Sequence, residues 1–122
     1  EGKTLPIYGT GENIREWLYV EDCCQAVELV MRKGKSGEIY NVGSGERLSN
    51  LQVVNFIGDK SKWEFITDRP GHDRRYAINS DKIRALGWEP KVNFDEGIGK
   101  TIDWYASRWD KITSLEANKH IK

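Results

Sequence analysis

Short β-rich runs that end at glycine alternate with segments of helical periodicity along this chain, and that alternation confines it to a mixed α/β fold. Leu5-Pro6-Ile7-Tyr8 stops at Gly9-Thr10-Gly11. Trp17-Leu18-Tyr19-Val20 then leads into Cys23, Ala26, Val27 and Val30 at helical spacing, with Gly34 as the stop. Glu38-Ile39-Tyr40-Asn41-Val42 lies between Gly37 and Gly43 and reads as a buried strand. The pattern predicts short strands over 5–8, 17–20, 38–42 and 63–66, and about four helices, over 21–33, 50–58, 80–86 and 95–109.

The helix ends carry physical markers. Ser49, with Gln52 three residues on, is a capping-box pattern ahead of Leu51, Val53, Val54, Phe56 and Ile57. Ser80 is placed to cap the next helix, Gly87 to stop it and Pro90 to prevent its continuation. Phe94, Ile98, Ile102, Tyr105 and Trp109 recur about every four residues, although Gly97 and Gly99 each weaken that helix by about 1 kcal/mol relative to Ala. The periodicity fades beyond, so a frayed polar tail is expected over 110–122.

A length of 122 residues fits one domain, 1–122, with one modest core. Lys plus Arg equals Asp plus Glu at 19 each, so the chain lacks the positive field that draws proteins onto nucleic acid, and any anion must be met locally. No apolar run approaches the roughly 18 residues of a spanning helix, and no membrane partner is expected. Cys23 and Cys24 are adjacent and have no CxxC or Cys/His companion, which argues against a metal site and for a reduced, cytoplasmic setting. The chain begins at Glu1, without Met, and runs straight into an apolar segment, as a piece of a longer protein would.

Two loops are candidates for anion binding. Asp68-Arg69-Pro70-Gly71-His72-Asp73-Arg74-Arg75-Tyr76 crowds three Arg and one His into a path set by Pro and Gly. A guanidinium offers a planar fork that clamps phosphate, and His72 adds a further donor. The alternative is a solvated loop in which Asp68 and Asp73 pair the Arg side chains. Gly9-Thr10-Gly11-Glu12-Asn13-Ile14-Arg15 places one Arg after two glycines, beside Pro6 and Tyr8, which suit packing on a base while Arg15 reaches a diphosphate. An ordinary connection with an exposed Arg is the competing reading. Gly43-Ser44-Gly45 is a weak dinucleotide signal, because position 48 of a G-x-G-x-x-G is Leu48, and a turn that needs small residues explains it better. His120 reads as bystander surface. No G-x-S-x-G, H-E-x-x-H or Walker sequence occurs.

Three blocks together resemble the C-terminal half of extended short-chain dehydrogenases/reductases that act on nucleotide sugars: Leu5 to Gly11, Ile14 to Asp22, and Gly37 to Gly43. The stretch Asp68 to Ala77 resembles the RPGHDRRYA segment of dTDP-glucose 4,6-dehydratases, and Leu86-Gly87-Trp88-Glu89-Pro90 with Gly97 to Tyr105 resembles their end. The resemblance implies an α/β fold that is the C-terminal portion of an NAD(P)-binding, Rossmann-like parent. It also implies a dTDP-sugar substrate and NAD in the parent enzyme. Pro6 and Tyr8 would lie at the thymine, Arg15 and Arg69 would hold the diphosphate, and Asn50 and His72 would complete the site.

The family oxidises the sugar at C4 with NAD, removes water across C5 and C6, and returns hydride to C6, using a Tyr-x-x-x-Lys pair and an N-terminal Gly-rich loop. None of this chain's tyrosines, Tyr8, Tyr19, Tyr40, Tyr76 and Tyr105, has Lys four residues on, so no catalytic residue is assigned and the chain alone is expected to be inactive and to bind no NAD. The interval from Asn50 to Arg69 is shorter than is usual in the family, by about two helical turns. Two other readings stand beside this one: a non-catalytic module that binds a nucleotide sugar or a protein, and a piece of a related epimerase or decarboxylase. Self-association is expected through the face that would meet the N-terminal domain.

Overall fold

The computed structural model describes residues 4–57 and 63–117. Strand β1 (Leu5–Tyr8) pairs in parallel with β4 (Trp63–Ile66), Leu5 opposite Trp63 and Tyr8 opposite Ile66. The Gly9 N–H extends the pairing by donating to the Ile66 carbonyl at 2.9 Å. Strand β2 (Ile14–Glu16) pairs antiparallel with β3 (Arg47–Ser49), and Ile14 also bridges in parallel to Arg75. Around these strands run α1 (Val20–Lys33), α2 (Asn50–Ile57), α3 (Asp81–Arg84), α4 (Phe94–Ala106) and α5 (Trp109–Ala117). No helix of the described residues is long and apolar enough to cross a membrane.

The capping box forms as the sequence predicts. Ser49 N–H donates to Gln52 Oε1 at 2.8 Å, and Gln52 N–H donates to Ser49 Oγ at 3.2 Å. The strand expected over 17–20 is absent, because the ladder ends at Glu16 and α1 begins at Val20. Trp17 instead packs edge-on against Phe94, with ring centroids 5.9 Å apart, and Tyr19 packs against Gly97, where a β-carbon would sit 3.3 Å from the Tyr19 ring. Aromatic residues that read as β-formers therefore serve contacts to α4, and Gly97 is the gap that admits one of them.

Residues 38–42 are likewise outside any strand of the described residues. Their Tyr40 and Val42 pack on the core, while Ile39 is 81% exposed. β-propensity shapes the segment, but a strand also needs a neighbour to complete its hydrogen bonds. Ser80 precedes α3 without capping it: its buried hydroxyl finds no partner among the described residues, and Asp81 N–H donates instead to Asn79 Oδ1 at 2.8 Å. The helix expected over 95–109 ends at Ala106, and Trp109 opens α5. Residues 110–117, expected to fray, are helical, and 118–122 lie outside the described residues. Asn93 caps α4, its Oδ1 accepting from Glu96 N–H at 3.0 Å.

The core is small, as the length requires. Ala26 of α1, Ile83 of α3 and Trp88 are buried together, with Leu18, Leu29 and Val30 packed around them. Trp88 Nε1 donates to the Asp22 carbonyl at 3.0 Å, satisfying the indole donor inside that core. The buried Asp22 carboxylate accepts from Lys91 and Val92 N–H at 3.0 and 2.9 Å, which ties the start of α1 to the approach to α4.

Candidate functional site

The two loops singled out in the sequence lie side by side because β2 binds the second one edgewise. Ile14 N–H donates to the Arg74 carbonyl at 2.9 Å, and Tyr76 N–H donates to the Ile14 carbonyl at 3.0 Å. Asn13 Nδ2 adds a bond to the Asp73 carbonyl at 3.2 Å. The start of α2 docks on the first loop, with Asn50 N–H on the Asn13 carbonyl and Leu51 N–H on the Gly11 carbonyl. Segments far apart in sequence are thus joined mainly by backbone.

Within the second loop, Arg69-Pro70-Gly71-His72 forms a β-turn closed by His72 N–H on the Arg69 carbonyl at 3.2 Å. Pro at the second position and Gly71 at the third, with φ +70°, fit the type II turn, which needs a left-handed residue there. The turn folds His72 back onto Asp68, whose Oδ1 lies 2.6 Å from His72 Nδ1. That hydrogen bond is the main reason the Asp68 carboxyl is held below its ordinary range, against a smaller opposing effect of burial. His72 Nε2 faces Arg15 Nη2 at 3.0 Å.

Arg15 is held by several contacts. Nη1 donates to its neighbour's carbonyl at Ile14 at 2.8 Å, Nη2 donates to the Asp73 carbonyl at 3.0 Å, and the guanidinium lies over the Tyr76 ring, 4.3 Å from its centroid. Tyr76 in turn donates its hydroxyl to Asp73 Oδ2 at 2.5 Å, which raises the phenol pKa. Arg69 lies over the Tyr8 ring at 5.2 Å, and among the described residues no carboxylate pairs with it. Tyr8 meets the His72 ring edge-on at 6.3 Å.

Of the six sequence candidates, Tyr8, Arg15, Arg69 and His72 form this one cluster. Pro6, Tyr8 and Asn50 share a cleft of about 220 Å³ with Ile7, Trp17, Val53 and Val54, so Tyr8 belongs to both groups. A larger cleft, of about 560 Å³, runs between Trp17–Glu21 and α4 and includes none of the six. It is mainly apolar, and its Lys100 is paired with Glu96 at 2.6 Å, so it lacks the free cations that a diphosphate needs. The polar cluster, which shares Tyr8 with the smaller cleft, is therefore the stronger candidate for holding a diphosphate.

The solvated-loop alternative pairs Asp68 and Asp73 with the arginines, whereas their carboxylates go to His72 and Tyr76. The Pro-Gly turn between Asp68 and His72 is the sequence signal for the first of these pairs. Glu16 is a residue that sequence reasoning misses. Its carboxylate, 8% exposed, accepts from Gly45 N–H at 2.9 Å, Ile78 N–H at 3.4 Å and Arg47 Nε at 3.3 Å. Burial raises its pKa, but those bonds outweigh burial and hold it below the ordinary value. The Gly43-Ser44-Gly45 turn is thereby committed to the chain itself: Gly45 N–H is on Glu16, Glu46 N–H is on Ser44 Oγ at 3.0 Å, and Ser44 Oγ donates to the Trp17 carbonyl. It leads into β3, where a dinucleotide loop would lead into a helix, so it does not fit NAD.

A family model described as GDP-mannose 4,6 dehydratase matches residues 1–101. The "Low-salt glycan biosynthesis protein Agl12" of Haloferax volcanii is 50% identical over 109 residues, covering 85% of this chain and 35% of the relative. The "dTDP-glucose 4,6-dehydratase 1" of Escherichia coli K12 is 44% identical over 133 aligned positions, covering 98% of this chain and 37% of the relative. That alignment is longer than this chain, so the relative has residues without a counterpart here, in keeping with the short interval between Asn50 and Arg69. The dTDP-glucose 4,6-dehydratase DesIV of Streptomyces venezuelae, solved with NAD and TYD bound, superposes with a TM-score of 0.80 at 40% identity, over 87% of this chain and 35% of that one. This chain thus spans little more than a third of the length of the proteins it matches. It belongs to the GDP-mannose 4,6 dehydratase family of extended short-chain dehydrogenases/reductases, with dTDP-glucose 4,6-dehydratases among its homologues.

Proposed function

We propose that this chain is the nucleotide-sugar-binding part of a dTDP-glucose 4,6-dehydratase, an NAD-dependent lyase that forms a 4-keto-6-deoxy sugar nucleotide. The observation that carries the reading is the meeting of Arg15 and Arg69, from loops far apart in sequence, on either side of Tyr8 and His72. Arg15 spends only part of its donor set on the protein. Nε–H and one Nη1–H have no partner among the described residues, and Arg69 stands free of carboxylates there.

The open guanidinium of Arg69 and the two remaining single N–H donors of Arg15 suit the two phosphates of a nucleoside diphosphate, where each charge-assisted bond is shorter and stronger than a neutral one. Tyr8 and Pro6 line the adjoining cleft with apolar surface for the thymine, and Asn50 is its amide; His72, edge-on to Tyr8 and facing Arg15, lies beside that cleft. The work of these residues is to bind and orient. NAD and the proton-transferring groups belong to residues outside this chain, so the chain alone turns over no substrate. A cytoplasmic location goes with this reading, with the free thiols Cys23 and Cys24 reduced.

Titration calorimetry of dTDP into the full-length protein, as its gene encodes it, tests the reading. Arg69→Ala is expected to weaken binding about tenfold or more, from the loss of a charge-assisted bond of about 1.5–3 kcal/mol. Unchanged affinity in both Arg69→Ala and Arg15→Ala would remove the basis for the assignment.

A further inference from the structure

We propose that Asp68 is a positioning residue for Arg15 and acts through one tautomer of His72; this deepens the nucleotide-binding reading and rests on it. Donor counting fixes the tautomer. A guanidinium has N–H donors and no acceptor, so at 3.0 Å from Arg15 Nη2 the His72 Nε2 must supply the lone pair. The ring proton then resides on Nδ1, and Nδ1 faces Asp68 Oδ1 at 2.6 Å. Each interaction selects the same tautomer from opposite sides of the ring.

The His72 side chain is 4% exposed, so water has little access to either ring nitrogen. Both are used inside the protein, which leaves the ring no N–H for a phosphate. Its effect on an anion passes instead through the orientation of Arg15. Asp68 is itself held in place: its Oδ1 also accepts from Arg69 N–H at 2.8 Å, and it packs on Gly9, where an added β-carbon would come within 2.8 Å of its Oδ2. One carboxylate thereby links the Gly9 turn, the start of the Arg69 turn and, through His72, the Arg15 guanidinium. Disturbing it misdirects the remaining Arg15 N–H donors while leaving the charge of both arginines intact.

The test combines histidine 15N NMR with dTDP titration on the full-length protein. At mildly alkaline pH, the His72 signal, identified by its loss in His72→Gln, is expected to report the Nδ1–H tautomer. Asp68→Leu should abolish that preference and weaken dTDP binding about tenfold, which corresponds to about 1.4 kcal/mol. Asp68→Asn, whose carbonyl still accepts from Nδ1–H, should preserve both. In a His72→Gln background the amide oxygen accepts from Arg15 without help, so adding Asp68→Leu should cost little more.

An Nε2–H tautomer or an imidazolium in the unmodified protein would overturn the proposal, whatever the variants do. So would an equal loss from Asp68→Leu with His72 or with Gln at that position, since Asp68 would then act on the loop and not through the ring. If the Nδ1–H tautomer is present and lost in Asp68→Leu but dTDP binds nowhere, the relay stands and the nucleotide reading falls.

Discussion

The centre built on Ala26, Ile83 and Trp88 and the cluster built on Arg15 and His72 both join segments far apart in the chain, but by different forces. The first is held mainly by apolar surface removed from water, with the Trp88 indole bond and the buried Asp22 carboxylate beside it. The second is held by backbone bonds from Ile14 and by polar side chains, several of them exposed. Apolar burial is large and non-directional, so it stabilises without choosing an angle. Hydrogen bonds contribute little net energy each, but they set distances and orientations. Stability and binding geometry are therefore expected to separate on mutation.

The largest effect should come from the apolar centre. Trp88→Ala, at a residue 3% exposed, is expected to cost about 3–5 kcal/mol in denaturant unfolding, with loss of dTDP affinity only in proportion to unfolded protein. A stable Trp88→Ala protein with weakened binding would break the separation.

Glu16→Gln should have an intermediate effect, about 1–2 kcal/mol at neutral pH, because Glu16 fastens β2 to the Gly45 turn through charge-assisted bonds. Since its folded pKa lies below the ordinary 4.5, its contribution is fully present above that pH and is lost as pH falls through the lower folded value. Unfolding curves of the variant and the parent should converge on acidification; a gap that widens in acid would contradict the assignment. The smallest stability effect belongs to Arg69→Ala. Its melting should match the parent to within about 0.5 kcal/mol even though its binding is weakened, which sharpens the contrast with Trp88.

Much of the site is legible in the sequence, for local reasons. The Ser49–Gln52 capping box and the Pro70-Gly71 turn are satisfied within a few residues, so sequence spacing specifies them. Arg15 and Arg69 stand out because planar guanidinium groups suit phosphate. Their meeting is not legible from periodicity, because it depends on Ile14 pairing with the strand-like edge at Arg75. Residues 17–20 and 38–42 read as strands and are not, for a similar reason: β-propensity records a side chain's fit to a pleated surface, while pairing depends on what lies beside it. Ser80 shows the same limit at a helix end, where Asn79 reaches the free N–H and Ser80 does not.

The apolar side chains of Val20, Met31, Ile39 and Phe65 are exposed, and self-association through the face that would meet an N-terminal domain is our proposal. The sequence by itself determined the α/β class, the helix around Ala26, the capped start of α2, the Pro-Gly turn and the identity of the two arginines. Each of these follows from local pattern or from the chemistry of single residues, read along the chain. Only the tertiary structure decided which carboxylate goes to which partner, which nitrogen of His72 faces Arg15, and which β-rich runs become strands. Those choices are settled by groups supplied from elsewhere in the chain, and a hydrogen bond has no direction until its partner is in place.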